Sequence, residues 1–400
     1  MTSHAALSAR QSPSYKWYVL ILGALTFTFV SAIPSMSLPV LFGEIAAELK
    51  LNLVQVGWIW GIGSVMGIVV GLVGGPLGDR LGPRRTLTGA CLVVGLIGAA
   101  RALAWDFTSL AATMFVFGFA QSAIPMNVHK MCSLWFAGPR LGMANGVVSV
   151  GMAFGFMVGS LLAATVFSPL VGGWRHLLLV YGAIAILFSL LWWLSQEKEI
   201  DTATNPAPLS FSAALRHVAG IRNVWLFSFA TLGVTACING LLGYLPLYLH
   251  MLGWPEATAD GALASFHATS MLAVLPIALL SDRLGARKGL LMIAALLVTI
   301  GVGLLALVHG ALIWPAVIMA GLTRDGYMAL TMAAVMEVKG VGPRYAGTAT
   351  GLLIAWIGLG NVLAPPLGNS LAGIHPGAPF AFWALLALLG FGVYWLIRER

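Results

Sequence analysis

The sequence predicts an all-α membrane protein: twelve transmembrane helices in two pseudo-symmetric six-helix bundles. Three observations carry that expectation. Roughly a dozen apolar stretches, each near the ~20 residues that cross a bilayer, fill the 400 positions. Charged residues make up only 8% of the chain against 59% hydrophobic ones, with a mean hydropathy of +0.93. A soluble domain carries ~25% charge, so no water-facing globule can be built from this composition. Finally, GDRLGPRR at 78–85 returns as SDRLGARK at 281–288. An acidic residue and a basic cluster thus recur at half the chain length, which implies duplication and a pair of bundles able to rock about a central cavity.

In order, the first half (1–194) holds spans at 17–43, 53–76, 84–104, 109–131, 144–167 and 175–194. The first carries Pro34 and Pro39, and the fourth carries Gln121 and Pro125. Gly63, Gly67, Gly71 and Gly75 recur every fourth residue in the second span, as do Gly151, Gly155 and Gly159 in the fifth. Such spacing exposes backbone along one helix face and lets a neighbour approach closely, a feature suited to spans that slide at a domain interface and equally to static packing. The polar stretch 195–221, with Glu197, Lys198, Glu199, Asp201 and the Asn205-Pro206-Ala207-Pro208 run, reads as a cytoplasmic linker. The second half (222–400) holds spans at 222–249, 260–280, 288–308, 311–336, 345–372 and 379–397. Pro246 and the pair Pro365-Pro366 interrupt helical bonding there, as expected where gates bend or helices pack around a kink.

With the N-terminus inside, the cytoplasmic segments hold 17 of the 21 Lys and Arg residues. Lys50, Arg101 and Arg175 fall in loops on the opposite side, and Arg324 lies inside a span. This asymmetry follows the positive-inside rule and places both termini in the cytoplasm, in a multi-pass protein of the cytoplasmic membrane with no cleavable signal. The net charge of +8 is matched by an anionic inner leaflet. Basic residues come one to three per loop, too scattered for nucleic acid. Cys91, Cys132 and Cys237 fit neither a zinc nor a disulfide spacing and read as small apolar packing. No phosphate-cradling loop and no metal-ligand cluster is present in the sequence, so no cofactor, no enzymatic chemistry and no obligatory protein partner are expected. A membrane enzyme would need a catalytic constellation at the interface, where the repeated loops supply basic anchors instead.

The repeat continues beyond the charged turn. Pro139-Arg140 precedes Ala144-Asn145-Gly146, and Pro343-Arg344 precedes Ala349-Thr350-Gly351. Gly75, Asp79, Arg80, Gly82, Arg84 and Arg85 spell a pattern of glycine, three residues, Asp-Arg, one residue, glycine and basic residues. The second copy keeps Asp282, Arg283, Gly285, Arg287 and Lys288, with Ala278 in place of the leading glycine. On these residues the chain resembles the major facilitator superfamily over essentially its whole length. Leu134-Trp135-Phe136, Arg140 and Gly173-Trp174-Arg175 are similar to members that carry small organic anions. Antiporters of the family carry a Gly-Pro pair late in the fifth span, whereas here Ser160 follows Gly159, which tilts away from drug efflux.

The resemblance implies a conformational latch in the charged turns: Asp79, Arg80 and Arg84 hold the halves together in one state and release in the other. Asp79 would meet the positive N-terminus of the eleventh span, and Asp282 with Arg283 would mirror that contact at the fifth. The plainer reading is that these charges fix topology. Intramembrane charges mark pathways, and Arg324 and Asp325 lie near the middle of the tenth span. Adjacent helical residues point ~100° apart, so a simple mutual ion pair is not expected. Arg324 is the candidate counter-charge for an anionic substrate, with Asp325 holding it or exchanging a proton; a structural charge network is the alternative. Gln121 corresponds to Asp325 in the repeat. The family places the first, fourth, seventh and tenth spans around the cavity, which adds Gln121 and Asn239 to the candidates. Asn361, at mid-depth beside a glycine, joins them as a substrate contact or as interhelical glue. His267 is a proton-sensitive candidate, or else is bonded to a backbone carbonyl, and Tyr327 would cap an aromatic wall. The sequence therefore points to a secondary active transporter with alternating access for a small organic anion such as a monocarboxylate, coupled to protons or running by facilitated diffusion. Proton-driven efflux of amphipathic drugs is the alternative.

Overall fold

A computed structural model describes residues 15–136, 139–196, 211–285 and 287–397, without the side chains of 70–81, 139, 211, 282 and 343. The described chain is helical nearly throughout and contains no strand. α1 (Tyr15–Leu49) is interrupted by a π-helical turn, Thr26–Ala32. α2 (Leu53–Leu81) starts at an Asn52 capping box with Gln55. α3 (Pro83–Ala100) ends in a 3-10 turn, Arg101–Leu103. α4 (Phe107–Trp135) is capped by Asp106, whose carboxyl the Ser109 hydrogen bonds hold below its ordinary range. α5 (Pro139–Leu162) continues through a π turn to Val171, and α6 (Trp174–Leu194) closes the first half.

A short linker helix, Phe211–Ala219, precedes the second half. It docks on the second half through His217, whose ring stacks on Tyr345 at 4.1 Å and whose Nε2 lies 2.8 Å from the Gly340 carbonyl. The second half is α7 (Arg222–Met251), α8 (Glu256–Leu284), α9 (Arg287–Leu304), a two-piece α10 (Ile313–Gly321 and Arg324–Met336), α11 (Gly342–Ser370) and α12 (Ala378–Trp395). Ten helices among the described residues are long and apolar enough to cross a membrane, and α2 adds the apolar stretch Leu53–Val69. The chain is a multi-pass membrane protein.

The tenth span departs from the single helix expected over 311–336. It is two pieces, Ile313–Gly321 and Arg324–Met336, joined at Leu322-Thr323. Thr323 leaves helical geometry at φ −110°, ψ −2°, and its hydroxyl donates to the Ala294 carbonyl at 3.3 Å. Gly321 fits against the Phe266 backbone, where an added Cβ would stand 2.5 Å from the Phe266 carbonyl. Breaking the helix there leaves Arg324 and Asp325 as the opening residues of a new helix rather than the middle of a continuous one.

In lipid, helices associate by close packing of small residues, and the glycines show where. Gly151, Gly155 and Gly159 lie against Ala24, Thr28, Ala32 and Ile33 of α1, and the Thr28 hydroxyl donates to the Gly151 carbonyl at 2.8 Å. The α5 groove therefore binds its own half together and is not the sliding surface between halves. That surface is carried instead by Gly57 and Gly61, which meet Pro366 and Val362 of α11. Asn369 adds a hydrogen bond to the Leu53 carbonyl at 2.8 Å, and Gly43 approaches His250 of α7. All these contacts lie toward the end of the bundle opposite the turns at Gly82 and Gly285. Toward the charged turns, Gly67, Gly142, Gly146 and Gly347 would meet nothing within 4 Å if given a Cβ. The described contacts close one end of the bundle and reach mid-depth, where Gly358 of α11 meets Ile68 of α2, while these glycines at the other end stand apart.

Candidate functional site

Between the halves lie two adjoining compartments of about 220 and 390 Å³ that share Met152, Asn239, Ile357 and Asn361. The smaller is lined by α10 and carries Arg324, Asp325 and Tyr327. The larger is lined mainly by the first half and carries Gln121, Ser31, Ser35, Trp60, Phe156 and Arg101.

Arg324 and Asp325 form the ion pair that helical geometry alone argued against, with Arg324 Nη1 2.5 Å from Asp325 Oδ1. The break accompanies it: with Thr323 at φ −110°, ψ −2°, the backbone before Arg324 departs from the regular helix on which the ~100° separation was reckoned. Asp325 Oδ2 accepts from the Ser270 hydroxyl at 2.7 Å, and the Asp325 N–H donates back to that hydroxyl at 3.0 Å. Asp325 is thus anchored to α8. Arg324 places its guanidinium 5.0 Å from the centre of the Phe156 ring, which belongs to the other half. Its remaining N–H donors have no hydrogen-bond partner among the described residues.

Gln121 is fixed through its amide nitrogen, which donates to the Ser31 hydroxyl at 2.8 Å and the Ser35 hydroxyl at 3.3 Å. Asn239 bridges the halves: its side chain donates to the Asn361 carbonyl at 3.0 Å, and its own carbonyl accepts from Trp60 Nε1 at 2.8 Å. The side-chain oxygens of Gln121 and Asn361 are buried without partners. Such orphan acceptors are rare in folded proteins, and here both belong to cavity-lining side chains, where a ligand's donor can satisfy them.

Two expectations change. His267 is fully buried beside Phe156 and Phe266, lines neither compartment, and neither ring nitrogen has a partner, so it is not bonded to a backbone carbonyl. It stands behind the Arg324–Asp325 pair, one turn from Ser270 on α8. Tyr327 lines the smaller compartment, yet its hydroxyl is tied to that of Tyr394 on α12 at 2.7 Å, making it a strut of its own half as much as a wall.

The side chains of Asp79, Arg80 and Asp282, three of the expected latch residues, lie outside the described ones. Arg283 is exposed at the end of α8. Arg84 is engaged in its own half: Nε donates to the Trp192 carbonyl at 3.3 Å and Nη2 to that of Trp193, at the end of α6. Cations at a helix C-terminus stabilise the dipole, and the role visible for Arg84 is that of a cap.

Arg101 is the residue the sequence reading misplaced. It was counted as a loop cation, but it is 1% exposed and lines the larger compartment. The 3-10 turn at the end of α3 swings it inward, onto the face of Phe117 at 3.9 Å.

The Major Facilitator Superfamily model matches residues 19–352 and 252–400. The chain is 29% identical over 364 residues to the 3-(3-hydroxy-phenyl)propionate transporter of Escherichia coli strain K12, covering 87% of this chain and 88% of that one. It is 24% identical to the hexuronate transporter of Bacillus subtilis strain 168 over 57% of this chain and 53% of that one. Among solved structures, a bacterial homologue of the human lysosomal transporter Spinster, in an inward-facing and occupied conformation, superposes with a TM-score of 0.76 at 16% identity, covering 96% and 97% of the two chains. The nucleoside transporter NupG gives 0.77 at 15% identity, again over 96% and 97%; both likenesses concern the fold. Relatives of this class are transporters of small solutes, acids among them, and not enzymes. The chain belongs to the Major Facilitator Superfamily.

Proposed function

We propose that this protein is a secondary active transporter that moves a small organic anion, a monocarboxylate, across the cytoplasmic membrane by alternating access. The observation that carries the reading is a guanidinium-bearing cavity between two halves, with Arg324 of one half set over Phe156 of the other. Arginine suits carboxylate recognition because its planar fork donates two parallel hydrogen bonds, and Arg324 and Arg101 both line this cavity. The acid solutes named for the relatives, 3-(3-hydroxyphenyl)propionate and hexuronate, support the same cargo class. On this reading both termini and the charged turns are cytoplasmic, and the end of the bundle at Gly82 and Gly285 faces inward.

Asn239, Asn361 and Gln121 complete the polar lining, and Trp60, Phe156 and Ile357 receive the apolar body of the acid. The test is uptake of 3-(3-hydroxyphenyl)propionate into proteoliposomes by wild type, Arg324→Ala and Arg324→Lys. Uptake is expected to fall at least ~100-fold in the alanine variant, which removes a charged donor from the cavity and leaves Asp325 there without its partner, and to stay depressed in the lysine variant. Undiminished uptake in both overturns the site assignment, and efflux of amphipathic cations without acid uptake overturns the cargo class. Proton coupling is read from the same vesicles: an imposed inward proton gradient raises the initial rate, and an unchanged rate removes the coupling.

A further inference from the structure

We propose that Arg101 seats the substrate's carboxylate and that the Arg324–Asp325 pair reads a hydroxyl at the other end of the same molecule, making the cargo a hydroxylated monocarboxylate. This rests on the organic-anion reading above and adds the polarity with which the anion lies.

The argument begins with charge. Among the described residues lining the two compartments, the acidic and basic side chains are Arg101, Arg324 and Asp325. Arg324 is offset by Asp325 at 2.5 Å. Arg101 has no acidic partner among the described residues: Nε donates to the Gly98 carbonyl at 3.3 Å, Nη1 approaches Met114 Sδ at 3.4 Å, and the plane rests on Phe117. A buried charge is costly unless it is paired. Nearby, Arg175 does pair, with Glu48 at 2.7 Å, so carboxylates are available at this end of the bundle and Arg101 is left without one. The cavity therefore carries one uncompensated positive charge, and a single carboxylate neutralises it.

The seat is also held in place. Arg175 donates to the Ala102 carbonyl, and the Ala104 N–H donates to the Arg101 carbonyl at 3.2 Å, so the turn presenting the guanidinium is braced from both sides. A preorganised donor loses less on binding than a mobile one.

The opposite end asks for different chemistry. There the free N–H donors of Arg324 stand beside the remaining lone pairs of Asp325. A hydroxyl, which both donates and accepts, satisfies the two at once. A second carboxylate would accept from Arg324 and repel Asp325, so the pair selects against diacids. The apolar walls between the two ends suit an aryl or alkyl spacer.

The experiment is calorimetric binding to the purified full chain with three probes: 3-(3-hydroxyphenyl)propionate, 3-phenylpropionate without the hydroxyl, and 3-(3-hydroxyphenyl)propan-1-ol without the carboxylate. Wild type is expected to prefer the hydroxy acid over each of the others by roughly tenfold or more, the range of one charge-assisted contact. Arg101→Gln is expected to abolish the preference for acid over alcohol and keep the preference for hydroxyl. Arg324→Gln and Asp325→Asn are expected to do the reverse. Arg101→Met, which keeps the packing on Phe117, repeats the first test if the glutamine variant folds poorly. An acid preference that survives both Arg101 variants, or that disappears in Arg324→Gln alone, overturns this polarity and leaves the organic-anion reading standing. Wild-type protein that binds neither acid overturns both.

Discussion

In the first half Arg84 donates to the carbonyl of Trp193 at the end of α6; in the second, Lys288 donates to that of Ile397 at the end of α12, at 2.6 Å. In the aligned turns Lys288 is the counterpart of Arg85 and Arg287 that of Arg84, so both halves keep a basic cap on their last helix but draw it from neighbouring positions of the same turn. At the cavity the correspondence ends. Gln121 sits on the unbroken α4 and hydrogen-bonds serines of α1, whereas its counterpart Asp325 opens the second piece of a broken α10 and pairs with Arg324. The first half supplies its charge from a helix end, through Arg101. Divergence is concentrated at the cavity, and symmetry survives where the helices are merely held.

That comparison is open to experiment, beginning with the largest effect. Breaking the central pair by Arg324→Ala is expected to remove at least ~100-fold of acid uptake, while the matched substitution Gln121→Ala costs roughly tenfold, since it removes neutral hydrogen bonds only. Equal losses in a side-by-side uptake assay would erase the asymmetry between the halves. Next, Gly61→Leu would place a side chain where even a Cβ stands 2.6 Å from the Val362 carbonyl. It is expected to splay the closed end and lower uptake at least ~10-fold, with Leu53 newly reactive to thiol reagents in a Leu53→Cys background. Unaltered labelling would mean that this contact is not the gate.

Smaller effects probe the preserved periphery. Arg84→Gln and Lys288→Gln each remove one charged cap, worth about 1 kcal/mol, and are expected to lower the unfolding temperature by similar small amounts without changing substrate affinity. A loss of affinity in either would return the charged turn to a direct role at the cavity. The smallest effect belongs to Asp260, fully buried at the closed end with both carboxylate oxygens unpartnered. Since a buried polar group without partners is costly, Asp260→Asn is expected to leave the unfolding temperature unchanged or slightly raised; a clear drop would reveal a partner that ionised Asp260 needs.

How much of this was legible in the residues follows the same division. The span pattern, the duplication and the family came from periodicity and from the repeated Asp-Arg turns, because hydropathy and spacing survive in one dimension. Arg324, Asp325, Asn239, Asn361 and Gln121 were found because a polar group inside an apolar run is conspicuous, and they do line one cavity. Their pairing was misjudged because the reading assumed an unbroken tenth span: Gly321, which ends the first piece, reads in the sequence as one more small packing residue among many glycines. Arg101 was missed for the opposite reason. At the end of a span an arginine reads as a loop cation, and only the 3-10 turn reveals that it points inward. The glycine rows were recognised as packing faces, but which neighbour each row meets is a property of the assembled bundle.

The central claim is that one cavity is served by two gates and that the end now closed must open for transport. Leu53→Cys paired with Asn369→Cys places thiols on residues joined by a 2.8 Å hydrogen bond across the closed end, and the native cysteines Cys91, Cys132 and Cys237 are buried. Bridging the pair with a short thiol cross-linker is expected to abolish net uptake of 3-(3-hydroxyphenyl)propionate while binding from the opposite end persists, with uptake returning when the link is cleaved. Full uptake through the cross-linked protein would contradict alternating access between these two halves.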